Sequence, residues 1–254
     1  MEEPIHFQWQ GETLLGVHHR PQRKDVPGVI FVHGLMGNRV DVRRLFVRLA
    51  RHLYHSDIAS LRIDFQASGV SDGTFHMMTY TNQLSQLLYV IEEVQRRALW
   101  GGPLILLGAS QGAKLVIAAA RCHPAVAGVC LWSGLLANED RELVQIAPTN
   151  RKLRKIGKTI AFDSPWGVWC NKQLYSDFRH MTIHSPYDLP LIPLLGIYGD
   201  NDPATLATRA FLQQTEHELV VIPGGDHLLS QQVWEGELIE SVPRWINKHF
   251  QANE

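Results

Sequence analysis

The chain has 254 residues, 45% hydrophobic and 19% charged, which excludes a disordered polymer and leaves enough apolar side chains for a sizeable core. Twenty-four basic side chains against 25 acidic ones give a net charge of −1, so composition lends no support to a nucleic-acid partner. No apolar run approaches the roughly 18 residues of a membrane span, and the start MEEPIHFQWQ is too polar for a secretory leader.

The three cysteines, Cys122, Cys130 and Cys170, are an odd number without metal-ligand spacing, and are read as reduced thiols of a cytoplasmic protein. In chain order, IHFQW and ETLLGVHHR flank a turn at Gln10–Gly11 and predict a hairpin. VIFVH (29–33) suits a buried strand, and apolar residues at helical spacing from Val42 to Leu53 predict a helix over 40–55. A strand over 58–65, a loop QASGVSDGTF and a helix over 79–99 follow. Next come a strand over 103–109, an alanine-rich helix over 111–122 and a strand over 126–132. Regular alternation then stops over 134–188, which reads as an insertion, and resumes with strands over 191–199 and 217–223 and helices near 204–214 and 231–250. This βα alternation predicts a mainly parallel sheet covered on both faces, with chemistry at the carboxyl ends of its strands.

The strand over 103–109 runs through GASQG (108–112) directly into a helix, the context a nucleophilic serine needs. A tight turn there lifts the Ser110 hydroxyl above the sheet, at a helix N-terminus whose N–H groups can hold an oxyanion. Ser110 needs a general base. Among the histidines late in the chain, His217 begins a strand and His249 ends the last helix, whereas His227 lies in PGGDHLL directly after the last strand. His227 is therefore the candidate base. Its orienting carboxylate should follow the preceding strand, in YGDNDPAT, where Asp202 is the candidate and Asp200 the turn-former. Asp202 precedes Pro203 and also suits a helix N-cap. Asp226 is disfavoured because adjacent residues rarely face each other. The loop VHGLMGN lets Gly34 pass close to Ser110, which makes the backbone N–H groups of Leu35 and Gln111 the candidate oxyanion donors. His33 is read as holding this loop by hydrogen bonds.

Taken in order, HGLMGN, GASQG, GDNDP and GGDH resemble the α/β-hydrolase superfamily across nearly the whole chain. DFQASGVSDG (64–73) adds a likeness to the Asp-x-x-Gly-x-Gly-x-Ser loop of many members, with Ala67 where they usually carry glycine. HGLMGNRVDVRRLFVRLARHL and the Ser-Gln-Gly elbow are similar to bacterial cinnamoyl or feruloyl esterases and related serine peptidase-like hydrolases. The resemblance implies an α/β-hydrolase core over 1–133 and 189–254, with a lid inserted at 134–188. It further implies a serine carboxylesterase acting on small to medium acyl esters, aromatic acyl groups included, through an acyl-enzyme. A peptidase, amidase or thioesterase with the same triad is the alternative, and a non-catalytic binding member of the fold is disfavoured because all three roles are filled. No metal or organic cofactor is required; the expected partner is a small-molecule ester, and nothing in the sequence supports a homodimer. Within 134–188, eight basic residues oppose six acidic ones, and the run RKLRKIGK (151–158) reads as a solvated helix face. Trp166 and Trp169 read as packing residues that could also line an acyl pocket.

Overall fold

In a computed structural model, residues 1–137, 152–164 and 167–251 are described. Strands β1 (Glu2–Trp9), β2 (Glu12–His19), β3 (Gly28–Val32), β4 (Ala59–Ile63), β5 (Leu104–Ala109) and β6 (Val126–Trp132) are joined by β10 (Leu194–Gly199) and β11 (Glu218–Ile222) in one sheet. Its order is β1-β2-β4-β3-β5-β6-β10-β11. The first two pairings, β1 with β2 and β2 with β4, are antiparallel, and every later pairing is parallel.

Two-residue periodicity sorts the central strands onto two cores. Ile30, Val32, Leu104 and Leu106 point to one face, where they meet helices α2 (Tyr80–Arg96) and α3 (Gly112–Cys122) through Leu87, Val90 and Val116. Val29, Phe31, Ile105 and Leu107 point to the other, against Phe46 and Leu49 of α1 (Leu45–His55) and Trp245 of α6 (Gln232–Phe250). A short α5 (Leu206–Leu212) adds Leu212 to the first core. Uniformly apolar β3 and β5 are thus explained by burial on both sides.

The predicted elements are recovered with small shifts at their ends. The helix expected over 40–55 begins as a 3-10 turn at Val42–Arg44, because Arg43 and Arg44 sit at φ 47° and 61°. The described part of the RKLRKIGK run, 152–158, differs in kind: it holds β7 (Leu153–Ile156) and a turn at Gly157 (φ 58°) that leads into β8 (Thr159–Asp163). With β9 (Trp169–Asn171) these make a separate antiparallel sheet, followed by α4 (Lys172–His180). Phe162, Cys170, Leu174 and Phe178 of this segment join the α2–α3 core. Its two ends meet where Ala137 bridges Ile183 and the Ile183 N–H donates to Leu136 O at 3.1 Å. No helix among the described residues is long and apolar enough to cross a membrane.

Candidate active site

The strands β3, β5, β6, β10 and β11 all end on the same edge of the sheet, and the loops leaving them converge. Ser110 follows β5 directly and holds φ at 50°, in the left-handed region that side chains avoid. Its N–H donates to Trp132 O at 2.8 Å, and its carbonyl accepts from Leu135 N–H at 3.0 Å and Ala113 N–H at 3.2 Å. The flanking glycines are demanded by space. A Cβ on Gly108 would lie 2.7 Å from Val116 Cγ2, and one on Gly112 would lie 2.4 Å from Val32 O. Gly34 also approaches from the neighbouring strand's loop, with a would-be Cβ 3.1 Å from Ser110 Cβ.

The loops after β10 and β11 are laced together. Asp200 Oδ1 accepts from Gly224 N–H at 2.6 Å, and Asn201 N–H donates to Gly225 O at 3.0 Å. Gly199 passes so near that a Cβ there would sit 2.0 Å from Gly225 O. Asp200 is thereby occupied in the turn. Asp226 folds its own loop, accepting from Leu228 N–H at 3.1 Å and Ser230 N–H at 2.9 Å. The carboxylate left facing His227 is Asp202, which is fully buried. Its Oδ2 lies 2.8 Å from His227 Nδ1, while Oδ1 caps the following turn by accepting from Ala204 N–H at 3.0 Å. The other ring nitrogen, His227 Nε2, lies 2.9 Å from Ser110 Oγ. Arg43 clamps this loop from outside, donating to the carbonyls of Leu228 and Leu229 at 2.8 Å each and to Glu235 Oε1 at 2.6 Å.

A cleft of about 400 Å³ opens over Ser110 and is lined by Gly34, Leu35, Gln111 and His227 among others. Leu35 follows the anchored His33. Phe65 N–H donates to His33 Nε2 at 3.4 Å, which leaves the proton on Nδ1 to donate to Gly34 O at 2.8 Å. Burial, against the pull of that carbonyl and of Asp64, holds His33 below the usual imidazole range, so it stays neutral in this role. Asp64, at the end of β4, ties the same loop to the next: it accepts from Arg39 N–H at 2.6 Å and from Val70 N–H at 3.0 Å. Gln111 opens α3, and its side-chain oxygen accepts from the Tyr80 hydroxyl. Chemically, an alcohol against an imidazole backed by a buried carboxylate, beside a helix N-terminus, is an arrangement for nucleophilic attack on a carbonyl.

Of the residues singled out from sequence, Ser110, His227, Asp202, Gly34, Leu35 and Gln111 are brought together. Trp169 is not among the cleft-lining residues; it pairs across β8 with Asp163, and the Arg154 guanidinium carbon lies 5.9 Å from its ring centroid. Trp166 lies outside the described residues. Sequence reasoning passed over Asp41, Trp132 and Ser133, which also line the cleft. Trp132 and Ser133 lie where β6 ends, a position that the strand-end rule could have flagged. Asp41 carries no such signal.

Residues 25–177 match a family model described as serine aminopeptidase, S33. No protein with curated annotation matches the sequence. Among solved structures, the chain is similar to Est1E from Butyrivibrio proteoclasticus with ferulic acid bound (TM-score 0.78, 22% identity, 96% of this chain and 98% of that one). It is also similar to a soluble variant of monoglyceride lipase from Saccharomyces cerevisiae (TM-score 0.74, 16% identity, 100% and 96%). An esterase of Pyrococcus furiosus matches with a TM-score of 0.71 at 15% identity, over 98% and 91%. At such identities the likeness concerns the fold.

Proposed function

This chain belongs to the serine aminopeptidase S33 family and has the α/β-hydrolase fold, and on that premise we propose that it is a serine carboxylesterase for small to medium acyl esters. One observation carries the reading: the unbroken line from Ser110 Oγ through both nitrogens of His227 to Asp202, at the mouth of an open cleft. In the proposed reaction His227 Nε2 takes the Ser110 proton as Oγ bonds to the ester carbonyl carbon. Asp202 keeps the second proton on Nδ1 and stabilises the imidazolium. The backbone N–H groups of Leu35 and Gln111 receive the oxyanion, each worth about 3 kcal/mol of barrier. Collapse expels the alcohol, protonated by His227, and leaves an acyl-serine. Water activated by the same histidine then releases the acid. A volume near 400 Å³ suits a short or medium acyl chain or a single aromatic ring.

We propose that the insertion 134–188 serves as a lid. Lys114, four residues beyond Ser110, supports that role: its buried ammonium donates to Leu136 O at 2.9 Å and Thr182 Oγ1 at 2.8 Å, tying both ends of the segment to α3. The family description also favours a second reading, amide hydrolysis by the same groups. The test is turnover of p-nitrophenyl esters of rising acyl length, a feruloyl ester and matched anilides by wild type and Ser110→Ala. Ester turnover that falls by several orders of magnitude in the variant is expected. Faster cleavage of the anilides would favour the amidase, and equal rates in both proteins would sink the mechanism.

A further inference from the structure

Among the described residues that line the cleft, Asp41 is the one side chain besides His227 that carries an acid or base group. Three separate features make it unusual. First, its carboxyl has a single hydrogen-bond partner among the described residues: Oδ1 accepts from Val42 N–H at 2.6 Å. Among the described residues no cation forms an ion pair with it: Arg43, two residues on, is turned to Glu235 and to the carbonyls of Leu228 and Leu229. Second, Asp41 sits at φ 62° and ψ 176°, a backbone region that is essentially reserved for glycine and costs a side chain on the order of 1–3 kcal/mol. Capping a three-residue turn does not require that: capping residues ordinarily sit in the extended region, as Thr79, Asn171 and Ser185 do here. Third, burial pushes the Asp41 carboxyl up to about 6, with the N–H of Val42 and the charge of Arg43 opposing it only in part. Such a half-buried carboxyl, with one backbone N–H and no ion pair among the described residues, keeps acceptor capacity facing the cleft. It gains most from a donor brought in by a ligand.

Resting on the esterase reading, we propose that Asp41 is a specificity-determining residue that accepts a hydrogen bond from a hydroxyl or ammonium group of the ester substrate. The cleft lining also includes Leu35, Met36, Val42, Trp132 and Leu228, so the carboxylate is a charged point in a lining with much apolar surface. Such a lining binds the carbon chain through burial, and the carboxylate selects chains that carry a donor. A plain alkyl chain of the same length would cover the carboxylate without offering it a donor, which is penalised. The preferred substrates are therefore hydroxylated or amino-substituted esters over plain alkanoyl ones.

Two isosteric pairs test this and separate the two sources of donor. Hydroxyethyl against propyl butyrate places a hydroxyl on the alcohol side. The p-nitrophenyl esters of aminohexanoic and heptanoic acid place an ammonium on the acyl side. Wild type is expected to prefer the donor member of at least one pair by roughly tenfold or more in kcat/KM. That ratio is expected to fall to about one in Asp41→Ala, which removes the acceptor, and also in Asp41→Gly, which relieves the backbone and guards against a folding defect. Should wild type fail to distinguish either pair, or should both variants keep the preference, the proposal is overturned while the esterase reading stands. Absence of Ser110-dependent turnover would instead overturn the esterase reading. In that event calorimetric affinities of the same pairs for Ser110→Ala and for Ser110→Ala/Asp41→Ala still decide the role of Asp41, since a donor preference must appear in the first and vanish in the second.

Discussion

Asp202 faces His227 Nδ1 at 2.8 Å with one carboxylate oxygen and caps the next turn with the other, accepting from Ala204 N–H at 3.0 Å. Thr205 Oγ1 adds a third bond at 3.1 Å to the oxygen that faces the histidine. Two roles thus meet in one side chain, and substitution separates them. Asp202→Asn keeps the capping oxygen but removes the charge and invites the wrong imidazole tautomer, so kcat for a p-nitrophenyl ester is expected to fall by about 10⁴. Asp202→Ala is expected to lose in addition about 1 kcal/mol of stability in urea, the usual worth of a cap. An Asn variant with wild-type kcat would remove Asp202 from the mechanism.

Ala67 occupies φ 64° in the loop after β4, where its N–H donates to Asp72 O at 2.8 Å. An L-residue in this region pays about 1–2 kcal/mol, and glycine recovers it less about 0.5–1 kcal/mol of chain entropy. Ala67→Gly is therefore expected to stabilise the protein by about 0.5–1 kcal/mol, read as a higher urea midpoint at unchanged slope. A lower midpoint would mean that the alanine methyl contributes packing that outweighs the strain.

What was legible from the sequence was local. A strand, a turn of small residues and a helix point to the conformation at Ser110, where a side chain at Gly108 or Gly112 would clash. Asp202 and His227 were legible for the same reason, each sitting in a glycine-bearing loop directly after a strand. Asp202 is preferred over Asp200 because Asp200 reads as the turn-former, and the laced loops give that a physical basis: Asp200 is spent on Gly224. Where signals were short they misled. RKLRKIGK has too few residues to separate a helical period from an alternating one, and pairing with β8 decided for strand. Asp41 and Tyr80 were invisible because their roles arise across the fold, from 69 and 31 residues away in sequence from Ser110 and Gln111 respectively.

Tyr80 heads α2 and its hydroxyl donates to Gln111 Oε1, while its ring stands 5.4 Å from that of Phe178 on α4. Next to it, Thr81 N–H donates to Asp177 Oδ2 at 3.0 Å, so the inserted segment grips the start of α2. Tyr80→Phe keeps the ring contact and deletes only the hydroxyl. If Gln111 supplies an oxyanion donor, loosening its side chain is expected to lower kcat several-fold at nearly constant KM, with stability changed by about 1 kcal/mol. An unchanged kcat would show that the turn alone orients the Gln111 N–H.

His18 and His19 lie side by side on β2, both buried, and burial lowers each to about 4 from an ordinary value near 6.5. His19 Nε2 faces Arg62 Nη2 at 3.1 Å, so its folded form must be the neutral acceptor. Because the folded values are depressed, the unfolded chain takes up protons first as pH falls. Stability is then unaffected above about 6.5 and drops between 6.5 and 4, by about 1.4 kcal/mol per pH unit for each histidine. Urea midpoints measured from pH 7 to pH 4 are expected to show this slope, and His18→Gln with His19→Gln to flatten it. A double variant as acid-sensitive as wild type would move the acid-labile groups elsewhere, to the buried carboxylates.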